Sequence, residues 1–338
     1  LGLFLPAIYL FNFMAKFSAM QFTTQIPIPE SKEPINYNSR IVSLGSCFAL
    51  NIGQKFDYFK LKNTTNPFGI LFHPLALQKF IGYAANNKTF AEADIFYHNE
   101  RWHSYDAHSD LSHSDKEMLL ANLNNSTASA HTELKQATHI IITLGTAWVY
   151  RNTESNNLVA NCHKVPQKQF TKELLSVETI TQNLQQIINL VGQVNADAQI
   201  IFTVSPVRHI KDGFTQNQWS KANLIAALHN VLQISTSGVR GLEYFPSYEI
   251  MMDELRDYRF YAEDMIHPST TAIDYIWERF TQTHITVEAK ETMKAVDVIQ
   301  KGLQHRSFNP ESTQHFQFLE KLQHKIQLLQ QQHPHITF

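Results

Sequence analysis

A chain of 338 residues that is 43% hydrophobic has enough apolar surface for a large core, as one α/β domain with an appendage or as two domains. Its formal net charge of -2 gives no electrostatic case for nucleic acid, which demands a basic face, and 12% aromatic residues are too many for disorder. Its two cysteines, Cys47 and Cys162, cannot make a disulfide framework, and neither falls in a Cys-x-x-Cys pair, so a thiolate metal site is not expected.

Residues 1–38 read as a lead-in. Its first 13 residues are apolar (LGLFLPAIYLFNF), begin without Met, lack a basic flank and are too short to span a membrane. Met20 opens a more ordinary beginning, so residues 1–19 read equally as a mis-assigned start or as a signal-like segment. The expected location is cytoplasmic in the first case and periplasmic or membrane-associated in the second. Residues 21–38 are Pro-rich and extended.

Residues 40–44 form a short β-rich run ended by Gly45, the pattern of a buried parallel strand. Residues 48–59 have helical spacing, with Phe48, Ile52 and Phe56 on one face. Gly45-Ser46-Cys47 is therefore a strand-to-helix turn, whose backbone amides favour negative charge. Residues 59–65 are a weaker strand, followed by the turn Asn66-Pro67-Phe68-Gly69. Residues 74–87 and 114–136 read as helices around a His-rich, aromatic stretch at 95–113, and the span of about 74–136 reads as an insertion. A strong strand at 139–144 stops at Gly145, a helix follows at 177–194, and a second strong strand at 198–204 stops at Ser205-Pro206. A helix at 219–232, a strand at 239–245 and a helix at 271–283 complete a domain over residues 39–285. Two Gln- and Lys-rich helical stretches, 287–303 and 310–332, make residues 286–338 a helical C-terminal extension.

Strands alternating with helices imply right-handed crossovers and a parallel sheet covered on both faces. Ligands in such sheets sit beyond the carboxyl ends of the strands, where the stops at Gly45, Gly145 and Ser205 lie.

Leu44-Gly45-Ser46-Cys47-Phe48-Ala49 resembles the signature of the GSCFA family, a bacterial group similar to a branch of the SGNH/GDSL hydrolase superfamily. The segments NPFGILFHP, WHSYDAHS, ITLGTAWVY, NCHKVP, TVSPVRH and DMIHPS resemble further family blocks in order, over about residues 21–280. The resemblance implies a flavodoxin-like, three-layer α/β/α sandwich of the SGNH hydrolase type, and ester-bond chemistry. With the glycines matched, the superfamily's Gly-Asp-Ser turn falls on Gly45-Ser46-Cys47. That register puts Cys47 in the nucleophile's place and leaves Ser46 as the second choice. A thiol suits a helix N-terminus near an imidazole, since both favour the thiolate; the alternative is a small buried hydrophobe.

Asp264-x-x-His267 matches the superfamily's last block. His267 would serve as general base and then acid, with Asp264 fixing its tautomer; the alternative is that Asp264 caps the helix starting near Ser269. Gly69 resembles the second-block glycine of an oxyanion hole, and equally a simple turn residue. The third block, which normally offers Gly-x-Asn-Asp, reads Gly145-Thr146-Ala147-Trp148, so Thr146 or Asn161 are the candidate substitutes for the absent Asn donor. Arg208 could bind a carboxylate or phosphate on the substrate or sit in a surface salt bridge. Residues 102–108 could line the pocket or pack as an insertion.

No metal is expected, because His98, His103, His108 and His113 recur every five residues, matching neither a strand face nor a helix face. No cofactor is expected either, since neither Gly-x-Gly-x-x-Gly nor a phosphate-binding Gly-x4-Gly-Lys-Ser/Thr loop occurs. The leading reading is an esterase on a small-molecule or glycan ester, with an acetyl group on a carbohydrate or cell-envelope glycan as the natural case. The alternatives are an acyltransferase to a glycan hydroxyl using the same site, and a non-catalytic glycan-binding module. No nucleic acid and no stable membrane span are expected among its partners, and the oligomeric state is not legible.

Overall fold

The computed structural model describes residues 23–234 and 238–338; the apolar segment at residues 1–19 lies outside them. Its elements begin with β1 (Arg40–Gly45), α1 (Cys47–Tyr58), β2 (Lys62–Thr65), α2 (Pro74–Ala85), the hairpin strands β3 (Phe96–His98) and β4 (Arg101–His103), α3 (Lys116–Gln136) and β5 (His139–Leu144). There follow β6 (Trp148–Asn152), β7 (Leu158–Val159), β8 (Phe170–Leu174), α4 (Val177–Val194), β9 (Gln199–Val204), α5 (Phe214–Gln233) and β10 (Gly241–Phe245). A single turn, α6 (Ser247–Glu249), runs into a π-helical turn (Ile250–Glu254), and α7 (Thr270–His284), α8 (Val287–Gln304) and α9 (Thr313–Gln332) close the chain.

A strand that is apolar at successive positions has to be covered on both faces, and β5 and β9 are buried at every residue. They pair in parallel with each other and with β1 and β10, giving the order β2-β1-β5-β9-β10. By position along the chain this is the 2-1-3-4-5 order of flavodoxin-like sheets. The order reverses between β1 and β5, so a crevice opens at their carboxyl ends. Gly45 pairs with Thr143 at that edge.

Helices α2, α3, α4 and α5 cover one face through a core that includes Leu77, Phe80, Leu123, Leu184, Ile188 and Leu228. Helices α1 and α7 cover the other through Phe48, Phe56, Trp277 and Phe280. The result is the expected three-layer α/β/α arrangement. The C-terminal helices share the second core: Val296 and Ile299 of α8 and Leu322 and Ile326 of α9 are buried in it. Tyr58 Oη donates to Asp297 at 2.9 Å, tying α8 to α1. Among the described residues no helix is long and apolar enough to cross a membrane.

Two features differ from expectation. Residues 74–136 supply α2 and α3, both part of the main core, with the β3–β4 hairpin between them and Trp102 of β4 packed against that core. The His- and Asn-rich stretch between those helices hides their place in the alternation. A second, antiparallel sheet of order β7-β6-β8 follows β5. Its strands are two to five residues long with mixed burial, so they carry no readable period.

Gly45 has φ +133°, and a Cβ there would lie 2.1 Å from the Thr143 carbonyl oxygen. Gly45→Ala is expected to destabilise the fold by at least about 2 kcal/mol, from strained backbone plus a clash with a central strand. Urea unfolding tests this: the midpoint should fall at constant slope, and an unchanged midpoint would contradict the close approach.

Candidate active site

The turn after β1 is held from several sides. Gly45 N–H donates to Asn66 Oδ1 at 2.8 Å, Ser46 N–H to Thr143 O at 3.1 Å, and Leu71 N–H to the Gly45 carbonyl at 3.0 Å. Ser46 is the N-cap of α1, but its side chain makes no capping bond; it is fully buried, and its Oγ has no partner among the described residues. Cys47, the first residue of α1, is half-buried and lines a cavity of about 700 Å³. The cavity has Cys47 in its wall and excludes Ser46.

Burial pushes the Cys47 thiol above its ordinary value, and the charge of Asp264 adds to the rise. The charge of Lys221 opposes it most, followed by the backbone amides of Cys47 and Phe48 at the helix N-terminus.

His267 lines the same cavity. Its Nδ1 lies 2.6 Å from Asp264 Oδ2. A carboxylate accepts, so Nδ1 carries the proton and Nε2 is left as the basic nitrogen. Asp264 Oδ1 accepts from the amides of Ile266 and His267, each at 2.9 Å. The His267 amide, the imidazole and the Ile266 amide together hold the Asp264 carboxyl down at about 2. Met265, at φ 57°, lets the chain turn within this short segment. Arg208 N–H donates to Ile266 O at 3.2 Å and Ala262 N–H to His267 O at 2.7 Å, anchoring the loop to the end of β9 and to itself. The cap of α7 is Ser269, whose Oγ accepts from Ala272 N–H, so Asp264 is not occupied in capping.

The second sheet lines the cavity through Trp148, Tyr150, Val159 and Phe170, and Phe72, Val207 and Ile266 add further apolar lining. Thr146, Asn161 and Arg208 also line it. Thr146 is committed elsewhere: its amide donates to Phe72 O, and its Oγ1 bonds Ser220 Oγ at 3.0 Å and accepts from Trp148 N–H. Asn161 Oδ1 accepts from His163 N–H at 2.8 Å, while its Nδ2 has no protein partner among the described residues. Arg208 has no carboxylate within ion-pairing distance among the described residues; its guanidinium lies over the Phe214 ring at 5.2 Å.

Gly69 does not line the cavity. Its amide donates to Asn66 O at 2.8 Å, and a Cβ there would lie 2.3 Å from His108 Cβ, so it serves the turn and the close packing of the His108 segment. Residues 102–108 do not line the cavity either. His103 is buried against Ser112 Oγ and the His98 carbonyl, and Tyr105 stacks on Phe96.

Three groups at the site were not picked out from the chain. Lys221 of α5 is fully buried and donates from Nζ to the carbonyls of Gly145 at 2.8 Å and Ser205 at 2.7 Å. Burial pulls its ammonium down to about 7 against the charge of Cys47. It lies on the buried face of its helix with Asn217, Ser220, Leu224, Leu228 and Val231, the one charged side chain among them. His209 lines the cavity, its Nε2 has no partner among the described residues, and burial holds it neutral with a value of about 3. His73 caps α2 through Nδ1 and donates from Nε2 to Val159 O at 3.1 Å, linking that helix to the cavity wall. Among the described residues no three His, Cys, Asp or Glu side chains gather as metal ligands.

The family model described as "GSCFA family" matches residues 40–280, which contain every group named above. The model described as "GSCFA domain protein, C-terminal domain" matches residues 296–338, the second half of α8 and all of α9. No curated protein and no solved structure matches the chain.

Burial lowers His73 and His163 to about 4 and His209 to about 3. Unfolded histidine titrates near 6.5, so below that pH the unfolded chain binds more protons than the folded one. The stability from these neutral imidazoles is fully present above about pH 6.5 and falls as pH drops toward 4. Urea unfolding across that window should show a loss of at least about 2 kcal/mol in total. A flat profile would contradict the buried neutral state.

Proposed function

The chain belongs to the GSCFA family, and we propose that it is an esterase of the SGNH hydrolase type with Cys47 as nucleophile, His267 as general base and Asp264 as its orienting carboxylate. One observation carries this reading: the first residue of α1 and an imidazole already paired through Nδ1 with a carboxylate open onto one cavity.

The steps follow from the protonation pattern. As Cys47 Sγ attacks the ester carbonyl carbon, the thiol proton passes to His267 Nε2. Asp264 holds Nδ1–H and stabilises the imidazolium. The carbonyl oxygen becomes an oxyanion facing the helix N-terminus, where the amides of Cys47 and Phe48 precede the first intrahelical bonds. Asn161 Nδ2, without a partner among the described residues and on the cavity wall, takes the place of the missing third-block donor. Collapse breaks the bond to the leaving alkoxide, which takes the proton from His267. Water then attacks the thioester, gives its proton to Nε2, and the thiol is restored as the carboxylic acid leaves.

Trp148, Tyr150 and Phe170 offer aromatic faces to a sugar ring, which supports an O-acyl carbohydrate or cell-envelope glycan as substrate. Arg208, without a counter-ion among the described residues, suits a carboxylate or phosphate on that substrate. The cavity volume, about 700 Å³, exceeds what an acetyl group fills, and this favours transfer to a second sugar hydroxyl as the other reading.

An activated aryl acetate tests the site. Wild type should turn over; Cys47→Ala and His267→Ala should each lose roughly 10⁴-fold or more in kcat, and Asp264→Asn roughly 10²- to 10⁴-fold. No turnover, with Cys47→Ala and His267→Ala indistinguishable from wild type, would contradict the enzyme reading and leave a glycan-binding role. Adding an acceptor sugar separates the two chemistries: acylated sugar marks a transferase, free acetate alone an esterase.

A further inference from the structure

We propose that the cavity selects an anionic ester, an O-acyl sugar carrying a carboxylate or phosphate, and that Arg208 and Lys211 together form the subsite for that anion. The proposal names the substrate class of the site described above, and as a statement about substrate it rests on reading that site as an esterase.

The first ground is the balance of charge. Apart from imidazoles and thiols, the ionisable side chains lining the cavity with a charge at neutral pH are Arg208, Lys211 and Asp212. Asp212 is held in an ion pair by Lys172. The Lys172 ammonium lies 4.6 Å from the centre of the Trp148 ring and 6.0 Å from that of Tyr150, so its charge stands at the aromatic lining. Asp264, the carboxylate behind His267, is bound to that imidazole. Both carboxylates are therefore occupied, and Arg208 and Lys211 are left over. A chain with a formal net charge of -2 keeps an uncompensated positive charge at this place.

The second ground is how the two cations are held. Every residue from Val207 to Asp212 lines the cavity, so the turn after β9 is a continuous piece of its wall. Arg208 N–H donates to Ile266 O at 3.2 Å, and Gly213 N–H to Ile210 O at 2.9 Å. His209 N–H donates to Asn217 Oδ1 at 2.8 Å. The backbone carrying both cations is thus fixed at three points. The Arg208 guanidinium lies 5.2 Å from the Phe214 ring, and its N–H groups bond to no side chain or carbonyl among the described residues. A guanidinium supported on an aromatic face with its donors unspent suits bidentate binding of a carboxylate or phosphate.

The third ground is what filling the cavity does to these charges. Arg208 is half-buried and Lys211 exposed. A ligand seated against them displaces water from both. A neutral sugar would take that water away and return no counter-charge, whereas an anion compensates the lost hydration. The aromatic rings offer a face for the sugar, and the turn after β9 offers the charge. Cys47 and His267 line the same cavity, so an anion held here belongs to the molecule whose ester they meet.

The test compares alkylation of Cys47 by iodoacetate, an anion, and by iodoacetamide, its neutral counterpart, in the full chain with mass-spectrometric readout. Both reagents consume the thiolate, so the ratio of their rates cancels changes in thiol acidity and reports local charge. The iodoacetate-to-iodoacetamide ratio should fall about threefold or more in the double variant Arg208→Gln, Lys211→Gln. In wild type it should fall likewise when salt is raised from about 0.05 M to about 0.5 M, which keeps the test open should the variant not fold. A ratio unmoved by either change would overturn the proposal. A second arm identifies the anion. Glucuronate or glucose 6-phosphate should protect wild-type Cys47 from iodoacetamide at concentrations where glucose does not, and the better protector assigns carboxylate or phosphate. Protection by glucose equal to both, or protection by neither acidic sugar, would overturn the proposal. No readout involves ester cleavage. Absence of turnover therefore counts against the esterase reading alone, and equal protection with turnover intact counts against the anion subsite alone.

Discussion

The proposed site hangs on the close approach of two backbones at the carboxyl ends of the sheet strands. Where β1 ends, the chain has no room for a side chain against the Thr143 carbonyl, and Gly45 is the residue that can pass. The same carbonyl accepts from Ser46 N–H, and Asn66 reaches back to Gly45 N–H. Pinned on both sides, the chain enters α1 at once. Cys47 therefore stands on the first helical turn at the point where strand order reverses, and Ser46 is packed inside. The geometry of this turn, rather than the chemistry of either side chain, sets which of the two adjacent residues reaches the cavity.

Burial then sorts the titratable groups by task. His73, His163 and His209 are held neutral by their surroundings; His73 and His163 serve as fixed hydrogen-bonding pieces, binding Val159 O and Ser104 O through Nε2. His267 is half-exposed and has one nitrogen tied to Asp264, which leaves the other for proton exchange. The thiol is raised by the burial that excludes water from it, and the groups that resist that rise are a helix N-terminus and a lysine from another layer.

The layered fold was legible because its central strands are unbroken apolar runs and its long helices keep a regular stripe. Residues 139–144 and 177–194 were read with the bounds that the structure gives. The Asp264-x-x-His267 pair was legible because its short spacing lets a single loop close on itself. The second sheet was not, since β6, β7 and β8 are short and half-buried, and their role as a wall depends on β5 placing them beside the crevice. Gly69 and Thr146 illustrate another limit. Their motifs suggested oxyanion donors, but a donor is available only if no nearer acceptor claims it; the Asn66 and Phe72 carbonyls take their amides here, and Thr146 Oγ1 is paired with Ser220 Oγ. Lys221 went unnoticed because one lysine in a helix is ordinary until its face is known.

The central claim, that Cys47 forms a covalent acyl bond in the cavity it shares with His267, is tested most directly by mass spectrometry of the protein quenched in acid during reaction with an activated aryl acetate. A gain of one acetyl group, mapped to Cys47 and absent in Cys47→Ala, is the predicted result. An acetyl group mapped to Ser46, or no adduct in a reaction that still consumes ester, would contradict it.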